Sequence, residues 1–169
     1  MSKFKEQILL VEDNPDHAEF ISRTLNGDGV EIIIQSDGEK ALNYLQGSNR
    51  LPSFVLLDVK LPAKDGFEVL GRLRAQDKFR DLPIVMLSTS LNPKDIRRAY
   101  RLGVNSFVTK PTDFNDFVKK VSLIKEFWLH SGHFSLPIPL CCSLISSVMF
   151  LNIAADFDFS LQFPKVRLI

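Results

Sequence analysis

The chain has 169 residues and a formal net charge of +1, so it is long enough for one domain with a sizeable core. The near-neutral charge argues against a dominant nucleic-acid or acidic-surface partner. Its two cysteines, Cys141 and Cys142, are adjacent and offer neither a disulfide framework nor metal-ligand spacing, which favours a reducing cytoplasm. The apolar run behind the N-terminus is too short for a signal peptide.

The composition changes near residue 130. Residues 131–169 hold both cysteines, and their charged residues are only Asp156, Asp158, Lys165 and Arg167. The other charged residues, which are nearly balanced in sign, all lie in residues 1–130. We therefore predict an ordered domain over residues 1–130 and an apolar C-terminal tail over residues 131–169 that contains no recognisable output domain.

Short apolar runs alternate with helical patterns along residues 7–129. Five strands are predicted, at residues 7–11, 30–34, 54–58, 84–87 and 106–109. A helix follows each strand, and the helices begin after Asn14, after Ser36 or Asp37, after Gly66, after Asn92 and after Asp113. Because such units join parallel strands through right-handed crossovers, the alternation predicts an α/β fold, a doubly wound five-stranded parallel sheet covered by helices on both faces.

Functional groups stand at the ends of four predicted strands: Glu12 and Asp13, Asp58, Ser88, and Lys110. Taken singly, each has an ordinary explanation as a solvated loop acid, a polar turn before a helix or a surface lysine. The carboxyl ends of parallel strands share one edge of the sheet, however, so these groups are expected to converge. Together they are the parts of a phosphoryl-transfer site: a nucleophilic Asp58, an acid pair for Mg²⁺, and donors for the transferred oxygens.

Four motifs carry this pattern: Leu9-Leu10-Val11-Glu12-Asp13-Asn14, Leu57-Asp58-Val59-Lys60-Leu61-Pro62 with Asp65-Gly66, Leu87-Ser88 and Lys110-Pro111. The combination resembles the receiver domain of bacterial two-component response regulators, over residues 7 to about 129. Asn14-Pro15-Asp16, Ser88-Thr89-Ser90 and residues 125–129 narrow the resemblance to small stand-alone regulators that partner phytochrome-type histidine kinases.

The resemblance implies a flavodoxin-like sheet of order 2-1-3-4-5 and a phosphoprotein of the cytoplasmic two-component phosphorelay. It implies that a histidine kinase phosphorylates Asp58, and that Mg²⁺ is held by Asp13, Asp58 and the Lys60 backbone carbonyl. It also implies a switch in which Ser88 turns toward the phosphoryl group while Phe107 repacks, although plain core packing explains Phe107 equally well. Phosphorylation would then change the contacts that the protein makes with its partners.

Two residues depart from the family pattern. Glu12 replaces the commoner aspartate, so its carboxylate reaches farther and is expected to contact the metal through water. Lys60 places a cation two residues after Asp58, where it is expected to alter water attack on the acyl phosphate. Phosphohydrolases of related chemistry place their acid at that second position, and a lysine cannot serve there at neutral pH. We therefore expect self-catalysed phosphoryl transfer and slow autodephosphorylation, and no further enzymatic activity.

A flavin-binding function is disfavoured, because the acid pair that follows the first strand would repel the phosphate of FMN.

The last helix and strand five are predicted to form a surface for homodimers. Its aromatic members are Phe107, Phe114 and Phe117, and its charged members are Arg97, Arg98, Arg101, Asp113, Asp116 and Glu126. Both signs of charge around an apolar patch favour two-fold association, although a solvated helix face accounts for the same residues.

The tail admits three interpretations. It is a hydrophobic arm that packs on this or a second domain, a stretch translated outside the natural frame, or a membrane anchor. Residues 138–155 approach the length that crosses a bilayer, but their prolines and serines and the absence of a preceding basic cluster weaken the membrane interpretation.

Overall fold

The computed structural model of the protein describes residues 6–27 and 29–130. Five strands and five α-helices alternate along this part of the chain. The strands are β1 (Glu6–Val11), β2 (Val30–Gln35), β3 (Phe54–Asp58), β4 (Ile84–Ser88) and β5 (Ser106–Thr109). The helices are α1 (Pro15–Leu25), α2 (Gly38–Gly47), α3 (Gly66–Arg74), α4 (Pro93–Arg101) and α5 (Phe114–His130), with a short 3₁₀ helix at Asp77–Phe79.

The five strands form one parallel sheet in the order β2-β1-β3-β4-β5, which confirms the predicted fold class and strand order. The pairing brings the carboxyl ends of the central strands level with one another. Val11 of β1 lies opposite Leu57, Asp58 lies opposite Leu87 of β4, and Ser88 lies opposite Thr109 of β5. The residues that follow these strand ends therefore share one edge of the sheet.

The core is built on the central strands. All five residues of β3 and all five of β4 are buried, as are residues 8–11 of β1. This explains why these segments read as continuous apolar runs, since each is covered by helices on both faces. Burying each of their large side chains contributes about 1.5–3 kcal/mol. The core therefore fixes the position of the sheet edge.

Each helix begins at a short polar side chain that accepts hydrogen bonds from the first turn. Asn14 Oδ1 accepts from the backbone N–H groups of Asp16 (2.9 Å) and His17 (3.1 Å). The same kind of cap stands at Asp37, Asp65, Asn92 and Asp113. Such caps contribute about 1 kcal/mol each, and the sequence predicted all of them except Asp65, because it placed the start of α3 after Gly66.

Element boundaries differ from the predicted ones by small amounts. β1 begins one residue earlier, β2 extends to Gln35, and β4 includes Ser88. α2 ends at Gly47, where Lys78 Nζ donates to the carbonyls of residues 45, 46 and 48.

The predicted tail, residues 131–169, lies outside the described residues, and so do both cysteines. The predictions made for it stay predictions. Among residues 6–27 and 29–130, no helix is both long and apolar enough to span a membrane.

Candidate functional site

Three carboxylates meet at the carboxyl edge of the sheet. Oxygen atoms of Glu12, Asp13 and Asp58 all lie within 4.8 Å of one another. Asp58 ends β3, and the other two directly follow β1, its neighbour in the sheet. Glu12 and Asp58 are buried, whereas Asp13 is exposed. The predicted convergence of these side chains is therefore present in the structure.

Lys110 joins the cluster from the end of β5. Its Nζ donates to Glu12 Oε2 at 2.6 Å and lies 3.1 Å from Asp58 Oδ1. Its backbone N–H donates to the carbonyl of Ser88 at 2.7 Å, which holds this end of β5 against β4. The lysine side chain is only 6% exposed, so its charge is little screened by water.

The cluster is short of positive charge. Three ionised carboxylates and one ammonium leave a formal charge of −2 in a largely buried place. Burial raises the pKa of the Asp58 carboxyl above its usual value of 3.8, and the Glu12 charge raises it further, while Lys110 lowers it. Burial outweighs the lysine, so the ionised form is poorly compensated. An all-oxygen donor set with this charge fits a hard divalent cation.

The loop after β3 is built to pass close to Asp58. The backbone N–H of Gly66 donates to the carbonyl of Val59 at 2.9 Å, and the backbone N–H of Val59 donates to the carbonyl of Leu87 at 2.9 Å. A side chain at Gly66 would collide with the Asp58 carbonyl oxygen, so glycine is needed here for space. Lys60 lies exposed in this loop, immediately beyond the sheet edge.

Ser88 is buried at the end of β4, and its hydroxyl is engaged. Ser88 Oγ accepts a hydrogen bond from Ser90 N–H at 3.0 Å. Ser90 Oγ in turn donates to Asp95 Oδ2 in the first turn of α4 at 2.7 Å. A chain of hydrogen bonds therefore connects Ser88 to α4. Sequence reasoning missed Ser90 and Asp95, although two polar residues flanking the Asn92 cap were a usable signal.

Phe107 lies in β5 opposite Met86, half-buried and packed against the core. Sequence reasoning also missed His17, whose Nδ1 lies 3.4 Å from Glu12 Oε1. Its position in the first turn of α1, just after the acid pair, was the available signal.

The predicted dimer patch needs a correction. Phe117 is buried and not presented to solvent, because its ring packs against Phe20 of α1 at a centroid distance of 5.4 Å. Phe114 is 62% exposed but stacks on the same Phe20 at 4.3 Å. Both aromatic residues of α5 therefore contact α1. Of the predicted aromatic patch, only Phe114 and the half-buried Phe107 are still accessible to solvent.

Comparison with known proteins gives consistent matches. A family model described as the response regulator receiver domain matches residues 8–122. The chain is 44% identical over 128 residues to the probable methanogenesis regulatory protein FilR2 of Methanothrix harundinacea, which covers 72% of this chain and 83% of that protein. It is 36% identical over 131 residues to the response regulator Rcp1 of Synechocystis, which covers 73% of this chain and 89% of that protein.

Solved structures agree. The phosphorylated cyanobacterial phytochrome response regulator RcpA superposes with a TM-score of 0.72 at 36% identity, covering 75% of this chain and 96% of that one. The Mn²⁺-bound form of Rcp1 superposes with a TM-score of 0.70 at 35% identity, covering 78% of this chain and 99% of that one. The fold, the acidic edge of the sheet and these matches lead to one conclusion: the chain belongs to the response regulator receiver domain family.

Proposed function

We propose that this protein is a response regulator that accepts a phosphoryl group from a histidine kinase on Asp58, with Mg²⁺, and signals by a phosphorylation-dependent change in partner contacts. One observation carries the proposal: a buried Asp58 stands beside Lys110 and two further carboxylates at the carboxyl edge of the sheet. Residues 1–130 are proposed to form the complete phospho-acceptor unit.

The proposed reaction is a transfer from a phosphohistidine. A carboxylate oxygen of Asp58 attacks phosphorus, the N–P bond breaks, and the kinase imidazole leaves with the electron pair and takes up a proton. The Lys110 ammonium and the Ser88 hydroxyl donate to the phosphoryl oxygens, a mainly electrostatic contribution. The residues that would hold Mg²⁺ are Asp13, Asp58, the Lys60 carbonyl and, through water, Glu12. Bound there, the ion neutralises charge on the transferred group.

The geometry supports a route for the signal. Ser88 is proposed to turn toward a phosphoryl group on Asp58, and this turn would alter the hydrogen bond that its Oγ now accepts from Ser90 N–H. Ser90 also holds Asp95 of α4, so the change reaches the start of that helix. Phe107 on the neighbouring strand is half-buried and is proposed to repack at the same time.

The proposal limits the chemistry and the partners. Lys60 stands where a related hydrolase needs an acid, which favours slow autodephosphorylation over general phosphatase activity. The similarity to RcpA, which is a cyanobacterial phytochrome response regulator, favours a phytochrome-type kinase as phosphoryl donor. The proposed protein acts in the cytoplasm and has no nucleic-acid partner. Homodimerisation through α5 and β5 stays a prediction.

Incubation of the full chain with acetyl phosphate tests the proposal. Intact-mass spectrometry should show uptake of one phosphoryl group with Mg²⁺ and none with EDTA. The Asp58→Asn variant should show no uptake, because an amide is not a nucleophile here. Asp16→Asn, an exposed residue of the first turn of α1 outside the cluster, is the matched control and should react like wild type. Wild-type uptake by Asp58→Asn, or uptake in EDTA, would contradict the proposal.

A further inference from the structure

A groove with a strongly basic wall lies between α3 and α4, on one side of the acidic site. It has a volume of about 650 Å³. We call it the basic groove, and it is lined by Phe67, Lys94, Arg97, Arg98, Arg101 and Leu102. Four of its six lining residues are cationic and none is acidic, which sets it apart on a chain whose net charge is only +1.

The cations of this groove lack the carboxylate partners that several exposed arginines have elsewhere. Arg23, Arg72 and Arg80 each lie within 2.9 Å of a carboxylate on their own helix or turn. Within residues 6–27 and 29–130, by contrast, Lys94, Arg97 and Arg101 have no carboxylate within 4 Å. Arg98 has only a distant contact, 3.8 Å from Asp65. Carboxylates of the described residues therefore leave the positive charge of this face of α4 largely unpaired.

The cations are arranged as one stripe. Residues 94, 97, 98 and 101 are spaced i, i+3, i+4 and i+7, so they share a face of α4 over about 10 Å. Same-face side chains of an extended chain repeat every 6.6–6.8 Å or so, which matches two or three carboxylates to the stripe. The Arg98 guanidinium lies over the Phe67 ring, 4.2 Å from its centroid, and Phe67 itself is buried, so the exposed binding groups of the groove are the cations of the stripe.

We propose that the basic groove docks an acidic segment of a partner protein, bound in extended form, with alternate carboxylates of the segment on the α4 stripe. A longer polyanion such as nucleic acid fits less well, because the stripe extends over only about 10 Å and the net charge of the chain is only +1. The proposal goes beyond phosphorylation, because it concerns the unmodified protein and does not require Asp58 to react.

Fluorescence anisotropy on the full, unphosphorylated chain tests the proposal. The probe is a labelled peptide that alternates three glutamates with two leucines, and it should bind with a dissociation constant of about 100 µM or tighter at low salt. Binding should weaken strongly in 0.5 M NaCl, where the Debye length falls to roughly 4 Å. The double variant Arg97→Glu/Arg101→Glu should weaken binding at least about tenfold, because both residues are exposed members of the stripe.

The matched control is Arg23→Glu/Arg80→Glu, which changes the net charge by the same amount at two exposed arginines outside the groove. It should bind the peptide within about twofold of wild type. Equal weakening by both double variants would show a general charge effect and overturn the proposal. Tighter binding of a single-stranded oligonucleotide of equal charge, lost in Arg97→Glu/Arg101→Glu, would overturn it in favour of nucleic acid. Phosphoryl uptake on Asp58 is measured separately and is unaffected by either result.

Discussion

At the scale of single residues, Asp58 carries an electrostatic cost that the metal-free fold must bear. Its folded pKa is raised, so the folded state binds its proton more tightly than the unfolded state does. The free energy of unfolding therefore falls as pH rises from the unfolded value of 3.8 through the folded pKa, and the full cost is present above the folded pKa.

The first prediction follows from this cost. Without metal at pH 7, Asp58→Asn should raise the melting temperature by roughly 4 °C, the shift that about 1 kcal/mol produces in a domain of this size. Mg²⁺ should then stabilise wild type, by about 2.7 kcal/mol at a hundred times its dissociation constant, and should add little to the variant. Thermal melting with EDTA and with Mg²⁺ measures both effects. An equal gain from Mg²⁺ in both proteins would place the metal elsewhere.

Lys110 is predicted to differ from the carboxylates in its role. Among the described residues, Lys110 is the cation that contacts both Glu12 and Asp58, so metal-free Lys110→Ala should lose about 3 kcal/mol, the usual cost of leaving buried charge unpaired. Mg²⁺ affinity should stay nearly intact, because the ammonium is a donor and not a ligand, while phosphorylation-dependent activation weakens.

Isothermal titration with Mg²⁺ and chemical denaturation measure the two quantities for Lys110→Ala. Lys119→Ala is the matched control, since that lysine is exposed on α5 and its Asp116 contact spans 3.3 Å. The control should change stability by less than about 0.5 kcal/mol. A loss of Mg²⁺ affinity as large as that of Asp58→Asn would contradict the donor role.

At the scale of elements, α3 contains two glycines with opposite requirements. A Cβ at Gly71 would lie 3.9 Å from Leu102 Cδ2, which is ordinary contact, whereas a Cβ at Gly66 would collide with the Asp58 carbonyl. Gly71→Ala should therefore stabilise the protein by about 0.5–1 kcal/mol, because alanine restricts the unfolded chain. Gly66→Ala should destabilise it by about 1–3 kcal/mol. Urea denaturation of both variants decides the point, and the same sign for both would contradict it.

The elements also show which parts of the structure were predictable. The strands and helix caps were, because a doubly covered strand needs an apolar run and a capped helix needs a short polar residue at its start. The element against which α5 packs was not predictable, because helical periodicity identifies an apolar face but not the element that covers it. Phe117 was assigned to an outer surface, yet it packs on Phe20 of α1.

The site was predictable only through the fold. Glu12 and Lys110 are 98 residues apart, and their 2.6 Å contact follows from the strand order, which the family resemblance supplied. The Ser88–Ser90–Asp95 hydrogen bonds were not predictable, since they depend on how the β4–α4 loop folds back. Chemistry at strand ends is thus readable from sequence, while the geometry of loops requires the structure.

At the scale of the whole molecule, residues 6–27 and 29–130 contain the five-stranded sheet, its covering helices and the acidic cluster. Within the described residues, every fully buried side-chain nitrogen or oxygen has a hydrogen-bond partner. We therefore expect deletion of residues 131–169 to leave the melting temperature within about 2 °C of the full chain. Mg²⁺ binding and Asp58 phosphorylation should stay unchanged. Solubility should improve, because the removed segment is almost uncharged.

A chain shortened further, into α5, supplies the control for that prediction. Ending the chain at residue 120 removes Val121 and Ile124, which are buried residues of α5. Losing two buried aliphatic side chains costs several kcal/mol, about 2–5 for each isoleucine-sized cavity, which is comparable with the whole stability of a domain. This control should unfold or melt far lower, whereas the chain ending at residue 130 should not. If both truncations fail alike, the tail completes the core, and the domain boundary near residue 130 is wrong.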